Sequence, residues 1–151
     1  METRLATIED KQAVLNLLEE LSDEVNEKIG SSTKGDVVKI GNNIFEEIIN
    51  RTDTHIFLAI ENNEVVGLAT FYLLPNIRHN WHRGHIEDFI IGKKMRGSGI
   101  GSKLIETIKD FCKQNNIKVF KLDSANELRD AHNFYRKNGG RQTEQMFRFD
   151  I

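Results

Sequence analysis

The chain has 151 residues, 38% hydrophobic, 8% aromatic and 29% charged, which suits one packed core and excludes a disordered solvating segment. Its 21 Lys and Arg stand against 23 Asp and Glu, for a net charge of -2, so no broad basic footprint for nucleic acid exists and any anion site must be local. No apolar run approaches the roughly 20 residues that span a bilayer, and the charged start METRLATIED is unlike a signal peptide, so the expectation is a soluble cytoplasmic protein of one domain over residues 1–151, with no nucleic acid and no membrane as partner.

In chain order, Thr7 and Asp10 form an approximate capping box, followed by Val14, Leu17, Leu18 and Leu21 at helical spacing, which predicts a helix from about residue 9 to 28. Gly30 to Asp36 has loop chemistry, and Val37, Ile40, Ile44, Phe45, Ile48 and Ile49 predict a second amphipathic helix. Ile56, Leu58 and Ile60, the turn at Asn62 and Asn63, and Val65 to Leu74 read as a β-hairpin. Pro75 closes its second strand and opens a polar loop through Gly84. Residues 85–91 read as a strand, 98–115 as a helix with Ile100, Leu104, Ile105, Ile108 and Phe111 on one face, and Val119, Phe120 and Leu122 as a strand. Cys112, the single cysteine, lies in that helical pattern as a small apolar residue rather than a nucleophile. Glu127–Lys137 is a last helix and Met146–Phe149 a terminal strand. The order α-α-β-β-β-α-β-α-β predicts a mixed α/β class, a central mixed sheet flanked by helices in three layers.

The densest chemical signal is Arg96-Gly97-Ser98-Gly99-Ile100-Gly101, between a predicted strand and a strongly periodic helix. Glycines admit a ligand close to the backbone, and a helix N-terminus offers free N–H groups to phosphate oxygens. From residue 75 to 103, Arg78, Arg83, Lys93, Lys94, Arg96 and Lys103 face only Glu87 and Asp88, the charge balance of a phosphate site. A Walker A loop fails because Ser98 stands where its lysine belongs, and a dinucleotide fingerprint fails because Ser102 replaces its last glycine. A glycine-rich helix cap without a ligand is the plainer reading. His79, His82 and His85 recur every third residue, but no partner cluster is spaced to complete a metal site, so no metal is expected.

These residues resemble the GNAT superfamily of acetyl-CoA-dependent N-acetyltransferases. Its Arg/Gln-x-x-Gly-x-Gly/Ala motif is similar to Arg96, Gly99 and Gly101, and its downstream signature is similar to Asn126, Ala131, Phe134 and Tyr135 followed by Lys137 and Gly139. Gly140 departs from the aromatic usual there. The resemblance implies a transferase that uses acetyl-CoA and passes the acetyl group to a primary amine of a small molecule by direct attack in a ternary complex. It implies cofactor binding by the backbone of Phe89 and Ile91, by Arg96, by Gly97, Ser98, Gly99, Ile100, Gly101 and Ser102, and by Asn126 and Tyr135.

Alternation along 85–91 puts His85, Glu87, Phe89 and Ile91 on one strand face and Ile86, Asp88 and Ile90 on the other. His85 and Glu87 match positions from which the family deprotonates the amine, and either can be the base; alternatively Glu87 and Asp88 only draw a cationic substrate into the cleft. Tyr135 matches the residue that protonates the leaving thiolate, or is a core aromatic. Asn126 binds the cofactor, caps the last helix, or does both. Arg78, Trp81 and Arg83 border the acceptor pocket, with Asp88, or else their loop is a solvated connection or a homodimer contact. The runs Gly84–Asp88, Met95–Gly97 and Lys103–Glu106 resemble the glucosamine-6-phosphate N-acetyltransferase branch, although the acceptor stays broad, with a sugar phosphate or a peptide or protein amine as lesser options. A catalytically inactive CoA-binding regulatory module is the rival class.

Overall fold

The computed structural model describes residues 1–30 and 37–151, so the loop expected from Gly30 to Asp36 lies, beyond Gly30, outside the described residues. The elements are β1 (Glu2–Leu5), α1 (Lys11–Ile29), α2 (Val37–Ile49), β2 (Thr54–Glu61), β3 (Glu64–Asn76), β4 (Trp81–Ile91), α3 (Ile100–Gln114), β5 (Phe120–Leu122) and α4 (Arg129–Lys137). The sheet runs β1-β2-β3-β4-β5. Its first four strands are antiparallel, and β5 joins β4 in parallel through the α3 crossover. This is the expected mixed α/β class.

Apolar periodicity becomes two cores, one on each face of the sheet. Val14, Leu17 and Phe45 of α1 and α2 pack on Ile56, Leu58, Leu68 and Ile90. Leu104, Ile105, Ile108 and Cys112 of α3 pack on Phe57, Ala69, Phe71 and Ile86. Burial of each large side chain contributes about 1.5–3 kcal/mol. At the start of α1, Asp10 accepts hydrogen bonds from the Thr7 N–H at 2.7 Å and from both Arg4 nitrogens of β1 at 2.7 and 2.8 Å. The Arg4 guanidinium holds the Asp10 carboxyl down at about 2.

Three expectations give way. The chain opens with β1, whose four residues have too little apolar pattern to declare a strand and are held by pairing with Phe57–Ile60. The loop expected over 75–84 is a two-stranded ribbon: β3 continues through Pro75 to Asn76, the chain turns at Ile77–Asn80, and β4 starts at Trp81, with Pro75 opposite His82. A proline is tolerated where its missing N–H is not needed by the ladder. The strand expected at Met146–Phe149 is not formed: residues 140–151 carry neither helix nor strand, and their side chains are exposed.

Candidate functional site

The site begins as a defect in the β3–β4 ladder. Ala69 pairs with Phe89, but Phe71 pairs with Ile86, so β4 carries one extra residue at 87–88, a β-bulge. Thr70 closes it: its hydroxyl donates to Asp88 Oδ2 at 2.7 Å and accepts the Asp88 N–H at 2.9 Å. Burial raises the Asp88 carboxyl above the usual range, against the Thr70 hydrogen bond and with the help of the Glu87 charge.

The bulge overturns the simple alternation expected along 85–91. Ile86 joins Phe89 and Ile91 in the core under α3, while Asp88 follows Thr70 and Ile90 to the α1–α2 side. His85 crosses to that side too, opposite Tyr72, because a one-residue slip inverts every side chain beyond it. His85 Nε2 there lies 3.3 Å from Glu87 Oε2 and 3.9 Å from Asp123 Oδ2. Tyr72, Thr70 and Asp123 escape sequence reading because only the register brings them in. Burial and the Asp88 and Glu87 charges raise the Tyr72 phenol.

On the other face of the backbone a gap opens. β5 pairs with β4 only from Gly84 to Ile86. The Gly92 N–H donates to Val66 O at 2.9 Å, which makes Gly67–Ile91 a non-hydrogen-bonded pair and, by alternation, turns the N–H and C=O of Phe89 and Ile91 away from β3 into that gap. Phe134 and Tyr135 of α4 border it, with ring centroids 5.5 and 6.2 Å from that of Phe89. Burial pushes the Tyr135 phenol up to about 12.

The gap leads into the glycine turn. Gly97 and Gly99 have φ of 79° and 88°, left-handed backbone that favours glycine, and a Cβ added at either would meet no atom of the described residues within 4 Å. Gly99 caps α3 and Ile100 is its first residue. Gly101 serves packing, since an added Cβ would lie 3.0 Å from the Phe134 ring. The turn is fastened to α1. Arg96 donates to Ile91 O at 2.8 Å and grips Glu24 through both terminal nitrogens at 3.0 and 2.6 Å, and the Lys93 N–H donates to Glu20 at 2.8 Å. Arg96 and Lys28 hold the Glu24 carboxyl down at about 2. The cationic surplus read from sequence is thus partly answered by α1, and Lys93, Lys94 and Lys103 remain exposed at the turn.

The structure therefore gathers His85, Glu87 and Asp88 on one side of β4, and the backbone of Phe89 and Ile91 with Tyr135 and residues 96–102 on the other. Asn126 is exposed in the turn before α4 and lines an open polar hollow with Arg129, His132 and Arg136; it does not cap α4, whose cap residue is Leu128. Arg78 and Trp81 are not gathered. At about 3.3 Å per residue, Trp81 stands about 25 Å along the strand from Phe89, with its ring against His79. Among the described residues, no three His, Cys, Asp or Glu side chains could hold a metal ion, and no helix is long and apolar enough to cross a membrane.

Comparison with known proteins places this geometry in a lineage. A stretch of 98 residues is 34% identical to the aminoalkylphosphonate N-acetyltransferase of Salmonella typhimurium, covering 64% of this chain and 62% of that protein. Another of 99 residues is 28% identical to the glucosamine 6-phosphate N-acetyltransferase of Trypanosoma brucei brucei, covering 65% of each. The chain thus spans just under two thirds of the length of these curated relatives. The fold is similar to that of the BH1408 protein of Bacillus halodurans, with a TM-score of 0.87 at 20% identity and full coverage of both chains. It is also similar to an aminoglycoside acetyltransferase from an uncultured soil metagenomic sample, with a TM-score of 0.78 at 21% identity over 99% of this chain and 94% of that one. Residues 16–140 match the acetyltransferase (GNAT) family, and with the glycine turn and the open β4 edge in the same stretch, the chain belongs to that family, whose enzymes take their acetyl group from acetyl-CoA.

Proposed function

We propose that residues 1–151 act as one N-acetyltransferase domain that moves an acetyl group from acetyl-CoA to the primary amine of a small molecule, by direct attack in a ternary complex. The observation that carries this reading is the continuity of the open β4 edge at Phe89 and Ile91 with the turn of residues 96–101 at the start of α3. The residues suit the cofactor: space for a ligand lies over Gly97 and Gly99, and the Ser124 hydroxyl, just past β5, is buried with no hydrogen-bond partner among the described residues. When bound, acetyl-CoA supplies an activated acyl group as a thioester.

The amides of Gly97, Ser98, Gly99, Ile100, Gly101 and Ser102 hold the diphosphate at the positive end of α3. Arg96 acts through its grip on Glu24 and Ile91 O, which holds the turn in shape. The Phe89 N–H donates to the developing oxyanion and the Ile91 N–H to the pantetheine arm. Tyr135, whose buried phenol keeps its proton across the working range, delivers that proton to the departing thiolate. On the opposite face, His85 and Glu87 share the proton taken from the amine, at Nε2 or Oε2, directly or through water. Asp88, Glu87 and Asp123 draw an ammonium toward them. Arg78 and Trp81 take no part in this step, and Asn126 lies in the open polar hollow beside α4.

The names of the relatives, aminoalkylphosphonate and glucosamine 6-phosphate N-acetyltransferases, support a small primary amine as acceptor. A thiol-release assay with acetyl-CoA and a panel of such amines tests the reading. Amine-dependent release of CoA is expected; CoA binding without release for any amine would leave a regulatory CoA-binding module instead. In the active case, the variant of His85→Ala and Glu87→Gln that removes the rising limb of kcat/KM against pH identifies the base.

A further inference from the structure

α4 carries both rings that border the gap, and it is held there mainly by apolar packing. Phe134 and Tyr135 lie against Phe89, and the Phe134 ring lies over Gly101 of α3. Such packing is non-directional, so it presses a helix onto a surface without fixing its position along its own axis. Among the described residues, a single hydrogen bond joins residues 129–140 to another helix or to the sheet, and no ion pair does. It runs from Lys109 Nζ of α3 to Asn138 O at 3.0 Å. Glu106 Oε1, one turn back on α3, lies 2.7 Å from the same nitrogen and steers it.

That bond lands on a helix end whose other hydrogen bonds converge on the two ring-bearing residues. Asn138 donates from Nδ2 to Phe134 O at 2.8 Å, and from its backbone N–H to Phe134 O and Tyr135 O, both at 3.1 Å. The Gly139 N–H donates to Arg136 O at 3.0 Å and the Gly140 N–H to Tyr135 O at 2.8 Å. These are the paired bonds of a helix stop closed by a left-handed glycine, here Gly139 with φ of 88°. A Cβ at Gly140 would lie 2.9 Å from Tyr135 O, so the glycine at 140 lets the chain close tightly on the Tyr135 carbonyl. Lys109 thus grips the outer end of a rigid cap, and it brings its charge to the negative end of the α4 dipole.

We propose that Lys109 is a positioning residue for Tyr135: by holding the Asn138 carbonyl it fixes α4 along its axis and sets where the Tyr135 phenol stands beside Phe89. Lys109 touches no reacting group and acts only through the cap. The placement is a property of the chain without any ligand. Its consequence for turnover rests on the acid role proposed above for Tyr135, since a misplacement on the order of 1 Å can cost about a hundredfold in rate.

The chain has two tyrosines, so fluorotyrosine labelling gives two fluorine resonances, assigned with Tyr135→Phe. In the protein without ligand, Lys109→Met keeps the apolar stem and removes the donor. It should shift or broaden the Tyr135 resonance and leave that of Tyr72, on the other side of the sheet, in place. Lys109→Arg, which keeps a cationic donor, should restore the Tyr135 resonance. With acetyl-CoA and an amine, Lys109→Met should lower kcat about tenfold while KM for acetyl-CoA stays within about twofold, and it should add almost nothing in the Tyr135→Phe background. A Tyr135 resonance unmoved by Lys109→Met, equal disturbance of both resonances, an Arg variant no better than the Met variant, or a kcat loss that persists in full in the Tyr135→Phe background would each overturn the proposal. A Tyr135→Phe enzyme as fast as the unaltered one would refute the acid role instead, and the fluorine result would then decide the placement by itself.

Discussion

The two ends of β4 belong to one strand but follow different rules. At Phe89–Ile91 the ladder is broken by a bulge, β5 has parted, and an aromatic cluster and a glycine turn converge on the free backbone. At Trp81–Arg83 the strand is an ordinary ribbon with regular pairing to Leu74–Asn76, rich in Arg, His and Trp but far from the bulge. The proposed chemistry lies where β5 has parted and aromatic side chains border the backbone N–H groups left free. A roll of reactive side-chain types along β4 favours the other end, which the proposed site does not use.

The strongest way to sharpen this contrast is Tyr135→Phe, which removes one hydroxyl beside the gap and leaves the ring packed on Phe89. Turnover should fall by about a hundredfold, on the usual scale for a general acid, with acetyl-CoA affinity retained; steady-state kinetics with calorimetry checks both. Next is Gly99→Asp. A side chain in left-handed backbone costs about 1–2 kcal/mol, and its charge would face a diphosphate, so CoA affinity should drop at least about tenfold by calorimetry.

Thr70→Val keeps shape but leaves the Asp88 N–H and carboxyl without their shared partner, at a cost of about 1–3 kcal/mol, seen as a lower denaturation midpoint in urea. Glu24→Gln should raise KM for acetyl-CoA severalfold with kcat nearly unchanged, since the grip on Arg96 is weakened and the reacting groups are untouched. It also has a pH signature. The Glu24 carboxyl is held down from 4.5 to about 2, so its contribution to stability is complete above about pH 4.5 and is lost as pH falls through that window toward 2. Acid titration of unfolding should show a shallower loss in the Gln variant. Smallest of all, Trp81→Ala should leave kcat/KM for small amines within about twofold; a large loss would move the acceptor site to the ribbon and break the comparison.

Much of the fold was legible before the tertiary structure was known. α3 announced itself by Ile100, Leu104, Ile105 and Ile108 at helical spacing, and all four are buried. The turn ahead of it was legible because glycines at fixed offsets before a helix have a local physical cause. The gathering of His85, Glu87 and Asp88 on one side at the bulge was not legible, since Thr70, which closes the bulge, is 18 residues from Asp88. Nor was the Arg96–Glu24 grip, 72 residues apart in the chain. In both cases the residue types were visible and their partners were not.

The sequence by itself determined which segments could be helices or strands, which face of each is apolar, and where a phosphate-sized ligand could meet a helix start, because these depend on residues within a turn or two of one another. Only the tertiary structure decided the register of β3 against β4, and with it the side of the sheet on which His85 lies. Side chains alternate with a period of two, so a single extra residue in one strand reverses every assignment beyond it, and that residue is recognised only against the strand it pairs with.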